Sequence, residues 1–462
     1  MSQRKYYLYF VMIALAGILV VVFVFQAVLQ NPPQAAQAPE AADVAVIGGD
    51  TAAVLSALEA AQEGAHVVLF PEGQEIAFDI SFLVSGGLAA ASTPIQEEMG
   101  ITFSPRQLRD TIADRGGEMS KPSLLNSFTE SSTRFHGRAE EYGVKFDQLP
   151  EPQEKPYWHT ASSLLEGQVF QENLQQELKR SPVFKRGESV KEFILDEGEV
   201  LGLWLENNKG DIYPFYSQAA IIGGGGYSAE VPSWHQHIYP DNLIDLRPEQ
   251  EGRGLHLANK IDVDFVQMGF FNKQLLLYAP EGEEHFSLPM HIFENPLLLN
   301  SAGNYLEEEE LQEEKGANFA LRSAPSKTYI AISREELARE ELEEKGDEKY
   351  WEEIAPLFTE VESWKAAGEK FSFDRIPQVG ESLTSPYLIA EVKAGVNYTL
   401  GGISITPQGE VLRNGRVVKG LYAAGEVVGG LHGENMLEGM PLSETFFTSE
   451  AAGKTAAAYA SR

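Results

Sequence analysis

"DVAVIGGDTAAVLSA", residues 43–57, decides how this chain is read. Val44 to Ile47 are apolar and read as a short buried strand, which breaks at Gly48 and Gly49. From residue 51 to 63 the apolar spacing is that of a helix, and after Gly64 a second strand follows at residues 67–70, completing a βαβ unit. A strand that turns through glycines into a helix points backbone N–H groups at whatever lies before the helix, the usual berth of a dinucleotide pyrophosphate. The residue that should approach those phosphates most closely is Asp50, an acid.

Working outward, the chain has 462 residues, 43% hydrophobic and 23% charged, enough for a large core and more than one domain. Lys+Arg total 36 against Asp+Glu 68, a formal charge of −32, which argues against a nucleic-acid partner. The same charge argues against a body lying on anionic lipid. There is no Cys, so disulfides, thiol catalysis and Cys-ligated iron–sulfur clusters are excluded within this chain. An electron donor or acceptor must then be a separate molecule.

Residues 6–25 carry no charge and are long enough to cross a bilayer as a helix. Arg4 and Lys5 precede them and the next basic residue is Arg106, so the N-terminus is expected in the cytoplasm and the body outside. "NPPQAAQAPEAA" reads as a tether. The competing reading is a signal peptide cleaved near "AAQA".

Further along, residues 85–101 read as a small-residue loop, residues 104–142 as helical, and residues 190–226 as a β-meander with turns near residues 196–198 and 207–208. Residues 236–380 have a different texture, with acidic runs at 307–314 and 334–353 that read as solvated helix faces. Ser333 and Glu336 suggest a capping box there. The expectation is an α/β chain: anchor 1–29, linker 30–42, a nucleotide-binding domain of residues 43–235 and 381–462, and an α+β cap of residues 236–380. A last helix is expected from about Leu442 to Tyr459.

In this order, "VAVIGGDTAA", "SGGLAAASTP", "SPRQLRDTIADRGGEMSKPSLL", "EYGVKFD", "AAIIGGGGYS", "TLGGISITPQGEVL" and "GLYAAGEVVGGLHGENMLEGMPL" resemble flavoprotein subunits of the fumarate reductase/succinate dehydrogenase family. The likeness is strongest to the soluble, flavocytochrome c-like branch that holds FAD noncovalently. It spans residues 43–462 and is weakest between about 265 and 330. It implies a Rossmann-like FAD-binding domain and an oxidoreductase that works with a small-molecule substrate and a separate electron partner.

The resemblance also assigns residues. Gly48 and Gly49 make the turn, and Thr51, Ala52 and Ala53 open the phosphate-facing helix. Ser85, Gly86 and Gly87 lie beside the flavin ring, where the lack of a His removes the covalent link of some relatives. Gly225 and Gly226 let a second strand end pass the cofactor, while Gly425 and Glu426 meet its hydroxyls. Pro441 and Leu442 begin a helix whose positive end faces the flavin N1/O2 edge and favours the anionic reduced ring. The family's ribose-holding acid aligns with Pro71, and Glu72 comes one place late.

The departures are on the substrate side. Tyr398 stands for the family's His before Thr-x-Gly-Gly, Met436 for its Arg, and Gly269 near a second His. Acids from Glu309 to Glu314 fall where the proton-donating Arg is expected. Dicarboxylate reduction by the family's chemistry is therefore not expected. Tyr398 and His432 remain as candidate catalytic residues, each with a structural alternative, and Tyr387 and Phe446 face the flavin or the core. The HxH of residues 235–237 reads as a loop rather than a metal site. Two functions stay open: a membrane-anchored FAD oxidoreductase with a non-fumarate substrate, or a degenerate relative serving as a membrane-bound binding or assembly protein.

Overall fold

Strand β1 (Ala41–Ile47) runs parallel to β2 (Val67–Phe70) on one side and to β8 (Ile212–Ile222) on the other, with helix α1 (Thr51–Gln62) as the crossover. The computed structural model describes residues 41–71, 87–150, 152–161, 166–231, 243–245, 251–278, 286–287, 296–306, 313–334, 354–377 and 383–462. The expected anchor and most of the linker lie outside them, as do the acidic run 335–353 and residues 232–242. Among the described residues no helix is long and apolar enough to cross a membrane.

The first sheet has eight strands. Two short strands, β3 (Leu88–Ala89) and β4 (Trp158–His159), pair separately, and β5 (Phe184–Lys185) extends the first sheet beyond β2. The meander is as expected: β6 (Ser189–Asp196) and β7 (Glu199–Glu206) are antiparallel, and β7 pairs with β8. Strand Arg416–Ala423 then joins β8 in parallel. The inner positions of β1, β2 and the end of β8 are 0–1% exposed, as apolar runs buried on both faces must be. Helix α1 is buried almost throughout, because the C-terminal helix Met440–Ala460 covers its other side.

The second eight-stranded sheet centres on strand Tyr387–Thr399, which pairs with Phe271–Leu277 and Thr328–Ser333. The boundary expected at 380/381 therefore does not separate the sheets: residues 387–399 belong to the second one and end at the site.

Two local expectations are corrected. The linker does not reach residue 42, because Ala41 and Ala42 pair with Tyr216 and Ser217 by backbone bonds that need no apolar side chain. Residues 85–101 are not loop throughout: β3 lies there, and helix Pro94–Glu98 is started by a capping box between Thr93 and Gln96. The capping box expected at Ser333 and Glu336 reaches outside the described residues. Ser333 itself ends a strand, and its hydroxyl accepts from the Thr384 amide at 3.0 Å.

Candidate functional site

The carboxyl ends of β2, β1, β8 and strand Arg416–Ala423 lie along one edge of the first sheet, where open α/β sheets take ligands. Gly48 has φ +116°, and a Cβ there would overlap the Gly223 carbonyl, so the loops after β1 and β8 touch only because Gly48 lacks one. The Gly48 amide donates to Phe70 O and the Gly223 amide to Ile47 O, both at 2.9 Å.

Asp50 is the N-cap of α1. Its carboxylate accepts from the Ala53 amide at 2.8 Å, and its carbonyl accepts from the Val54 amide at 3.1 Å. By helix geometry, the amides of Thr51 and Ala52 likewise have no carbonyl acceptor within the helix. The acid thus takes for itself one of the donors that a phosphate would use.

Glu426 is 5% exposed, and its Oε1 accepts from the Thr399 amide at 2.8 Å and the Thr399 hydroxyl at 2.9 Å. A Cβ on Gly226 would run into this carboxylate, so only glycine lets the β8 loop pass beneath it. The C-terminal helix ties the parts together: Thr448 Oγ1 accepts from the Gly425 amide at 2.9 Å, Ser449 donates to Ala52 O at 3.1 Å, and Ser443 donates to Ala89 O at 2.8 Å. That helix starts after Gly439, with Pro441 in its first turn and Leu442 fully buried.

Glu444, one turn further, has no counterpart among the candidates drawn from the sequence. Its Oε2 accepts from the Tyr398 hydroxyl at 2.7 Å and lies 2.9 Å from His432 Nε2, with all three residues 1% exposed. One oxygen receiving both groups places the imidazole proton on Nε2. His432 Nδ1 and Glu444 Oε1 are then buried acceptors with no hydrogen-bond partner among the described residues. No local pattern marks Glu444, because its partners are 46 and 12 positions away; the only sign is an acid in an apolar helix start.

Beside this cluster, Glu438 meets Lys155 at 3.0 Å and the Tyr157 hydroxyl at 2.9 Å. His159 is fully buried; Nδ1 donates to Tyr157 O at 2.9 Å, so Nε2 accepts from Thr93 Oγ1 at 2.7 Å. Burial pushes its pKa down to about 4, helped by His136 and resisted by the Tyr157 carbonyl.

The structure brings together Gly48, Gly49, Thr51, Ala52, Ala53, Gly225, Gly226, Gly425 and Glu426 at the sheet edge, and Tyr398, His432, Pro441 and Leu442 around the helix start. All of these are buried, and Asp50 is half-buried. Gly87 packs against Trp158 and His159, while Glu72, Ser85, Gly86 and the HxH lie outside the described residues. Phe446 is in the core against Phe170, and Tyr387 stacks on Trp364. No group of metal-ligating side chains occurs among the described residues.

FAD fits this donor set. The amides of Thr51 and Ala52 would meet its phosphates, Glu426 its hydroxyls, and the two unpartnered acceptors at His432 and Glu444 suit a donor on a bound group. Asp50 is the one member that opposes it.

The comparisons agree. A 24% identical relative, the NADH:fumarate oxidoreductase of Klebsiella pneumoniae, matches 91% of this chain, which spans 48% of that protein's length. The urocanate reductase of Eggerthella lenta is 24% identical over 92% of this chain and 76% of its own length. An open-conformation flavocytochrome c3 fumarate reductase has the same fold, with a TM-score of 0.77 at 18% identity over 94% of this chain and 81% of that one. The FAD binding domain family matches residues 43–276 and 302–442, and the chain belongs to that family.

Proposed function

We propose that this chain is an FAD-dependent oxidoreductase of the fumarate reductase type whose substrate is not a dicarboxylate. One observation carries the substrate reading: the Glu444 carboxylate lies 2.7 Å from the Tyr398 hydroxyl, at the position where the family places a cationic dicarboxylate anchor. Met436 and Gly269 supply no charge in its place. A second carboxylate brought there would meet repulsion instead of an anchor. The urocanate reductase relative supports a different unsaturated substrate for this branch.

When bound, FAD supplies the hydride-transferring centre. The chain's own part is to hold protons at defined atoms, Tyr398 Oη and His432 Nε2, in a site closed to water. With no Cys, the chain has no iron–sulfur relay of its own, so electrons arrive from or leave to a separate partner. Residues 6–25 anchor it in a membrane with the body outside the cytoplasm.

The test is oxidation of the photoreduced, FAD-loaded protein by a panel of fumarate, urocanate and a neutral α,β-unsaturated ketone, followed by flavin absorbance. The expected result is rapid reoxidation by a panel member other than fumarate. Fumarate acting as fast as the best of them overturns the substrate reading. A specific observation favours a second reading, a non-catalytic binding protein: the Asp50 carboxylate bonded to the Ala53 amide. A purified chain that takes up no FAD would establish it.

A further inference from the structure

Ten large apolar side chains among the described residues are exposed, and six of them, Leu195, Leu201, Trp204, Ile212, Tyr216 and Val417, lie on β6, β7, β8 and strand Arg416–Ala423. Register places three on one face: Gly202 is opposite Tyr216, Trp204 opposite Pro214, and Glu206 opposite Ile212, so Trp204, Tyr216 and Ile212 all project from the same side of the meander. Their exposures are 37%, 56% and 60%, values that a monomer has no folding reason to keep on an aromatic pair. Leu201 and Val417 also line a groove of about 550 Å³ that includes Lys419, Tyr422 and Arg462.

Two acids on the Trp204 face have cations beside them. Glu206 pairs with Lys191 at 2.7 Å, and Glu192, opposite Trp204, lies 3.8 Å from Lys260. The chain also enters the body here. Ala41, the first residue of β1 and itself exposed, is paired with Tyr216, and residues 26–40 leave a tether of at most about 50 Å after the apolar segment.

We propose that this meander face docks on the surface of the lipid bilayer, with Trp204 and Tyr216 at headgroup depth. The proposal rests on residues 6–25 being a membrane anchor. Trp and Tyr are the side chains that favour the membrane interface, being apolar in body and polar at one end. The partner is a zwitterionic lipid surface, because a chain of formal charge −32 is repelled by anionic headgroups. Docking fixes which side of the body faces the membrane and leaves the carboxyl-end edge of the sheet to a soluble partner or substrate.

The absence of Cys makes a clean test possible. The full chain is reconstituted in phosphatidylcholine vesicles with a nitroxide label on Ile212→Cys or, as a control, on Met99→Cys, which is exposed outside this sheet. The Ile212→Cys label is expected to collide more with oxygen than with a water-soluble nickel complex, and the Met99→Cys label to do the reverse. In brominated phosphatidylcholine, tryptophan emission should be quenched, and Trp204→Phe should lose most of that quenching. A chain that survives alkaline washing but keeps Ile212→Cys in water overturns the docking and leaves the anchor standing. A chain washed off by alkali overturns both. Spin–spin broadening between Ile212→Cys labels identifies the face as an interface between copies and also overturns the proposal.

Discussion

Tyr398 donates its phenolic proton to Glu444 across 2.7 Å, joining the second sheet's central strand to the C-terminal helix at a point where each residue is 1% exposed. Because His432 meets the same oxygen at 2.9 Å, one carboxylate organises two candidate proton-holding groups. Glu444→Leu should therefore cost about 1–3 kcal/mol for each donor left without its acceptor. Glu444→Gln, which keeps a carbonyl oxygen, should cost less. Urea denaturation of the variants checks this, and a Glu444→Leu protein as stable as the parent would refute the arrangement.

Asp50 sets two effects against each other. Its carboxylate caps α1 through Ala53, and its charge opposes a phosphate by on the order of 1 to 4 kcal/mol. Asp50→Asn keeps a cap while removing the charge, and Asp50→Gly gives up only a few tenths of a kcal/mol of helix stability. Both should tighten FAD by about tenfold or more. Quenching of FAD fluorescence on titration measures it; unchanged affinity in both variants would mean that the phosphates are not received at this helix.

His159 makes stability depend on pH. Burial holds its pKa near 4 in the folded chain against an ordinary 6.5, so between those values the unfolded chain binds a proton that the folded one refuses. The contribution is full above pH 6.5 and is lost as pH falls toward 4. Replacing His159 with Gln removes the titrating group and should flatten this part of the melting temperature–pH curve. A curve equally steep in the variant would point to other groups.

Glu59 on α1 is 3% exposed and paired with Arg138. Burial raises its pKa, opposed chiefly by Arg138. Arg138→Met should cost up to about 3–5 kcal/mol at neutral pH, because it leaves the buried Glu59 charge with only Lys454, 4.0 Å away, as a counter-charge. A carboxyl whose pKa is raised on folding binds its proton more tightly when native, so the variant should recover stability as pH falls toward that raised value and lose it as pH rises. Adding Glu59→Leu should restore most of the loss at neutral pH, and thermal melts of the single and double variants decide.

Much of this was legible from local pattern. The strand, glycine pair and helix of residues 43–62, the second strand at Val67–Phe70 and the meander up to Ile222 are set by apolar periodicity and turn residues, and they lie within a few residues of where the pattern puts them. The start of the last helix is likewise marked by Pro441. The loop at residues 85–101 hid a short strand and a capped helix, because small residues carry no period and the β3 partner, β4, lies far along the chain at Trp158–His159.

Sequence alone determined which backbone turns this chain makes and that its body is acidic and Cys-free, since each follows from residue type at a given position. Only the tertiary structure decided what Asp50, Tyr398 and His432 touch. Asp50 turns inward to cap its own helix, Tyr398 and His432 converge on Glu444, and Tyr216 of the meander pairs with Ala41. These are long-range pairings and side-chain directions, fixed by how sheets and helices stack and not by the identity of neighbours along the chain.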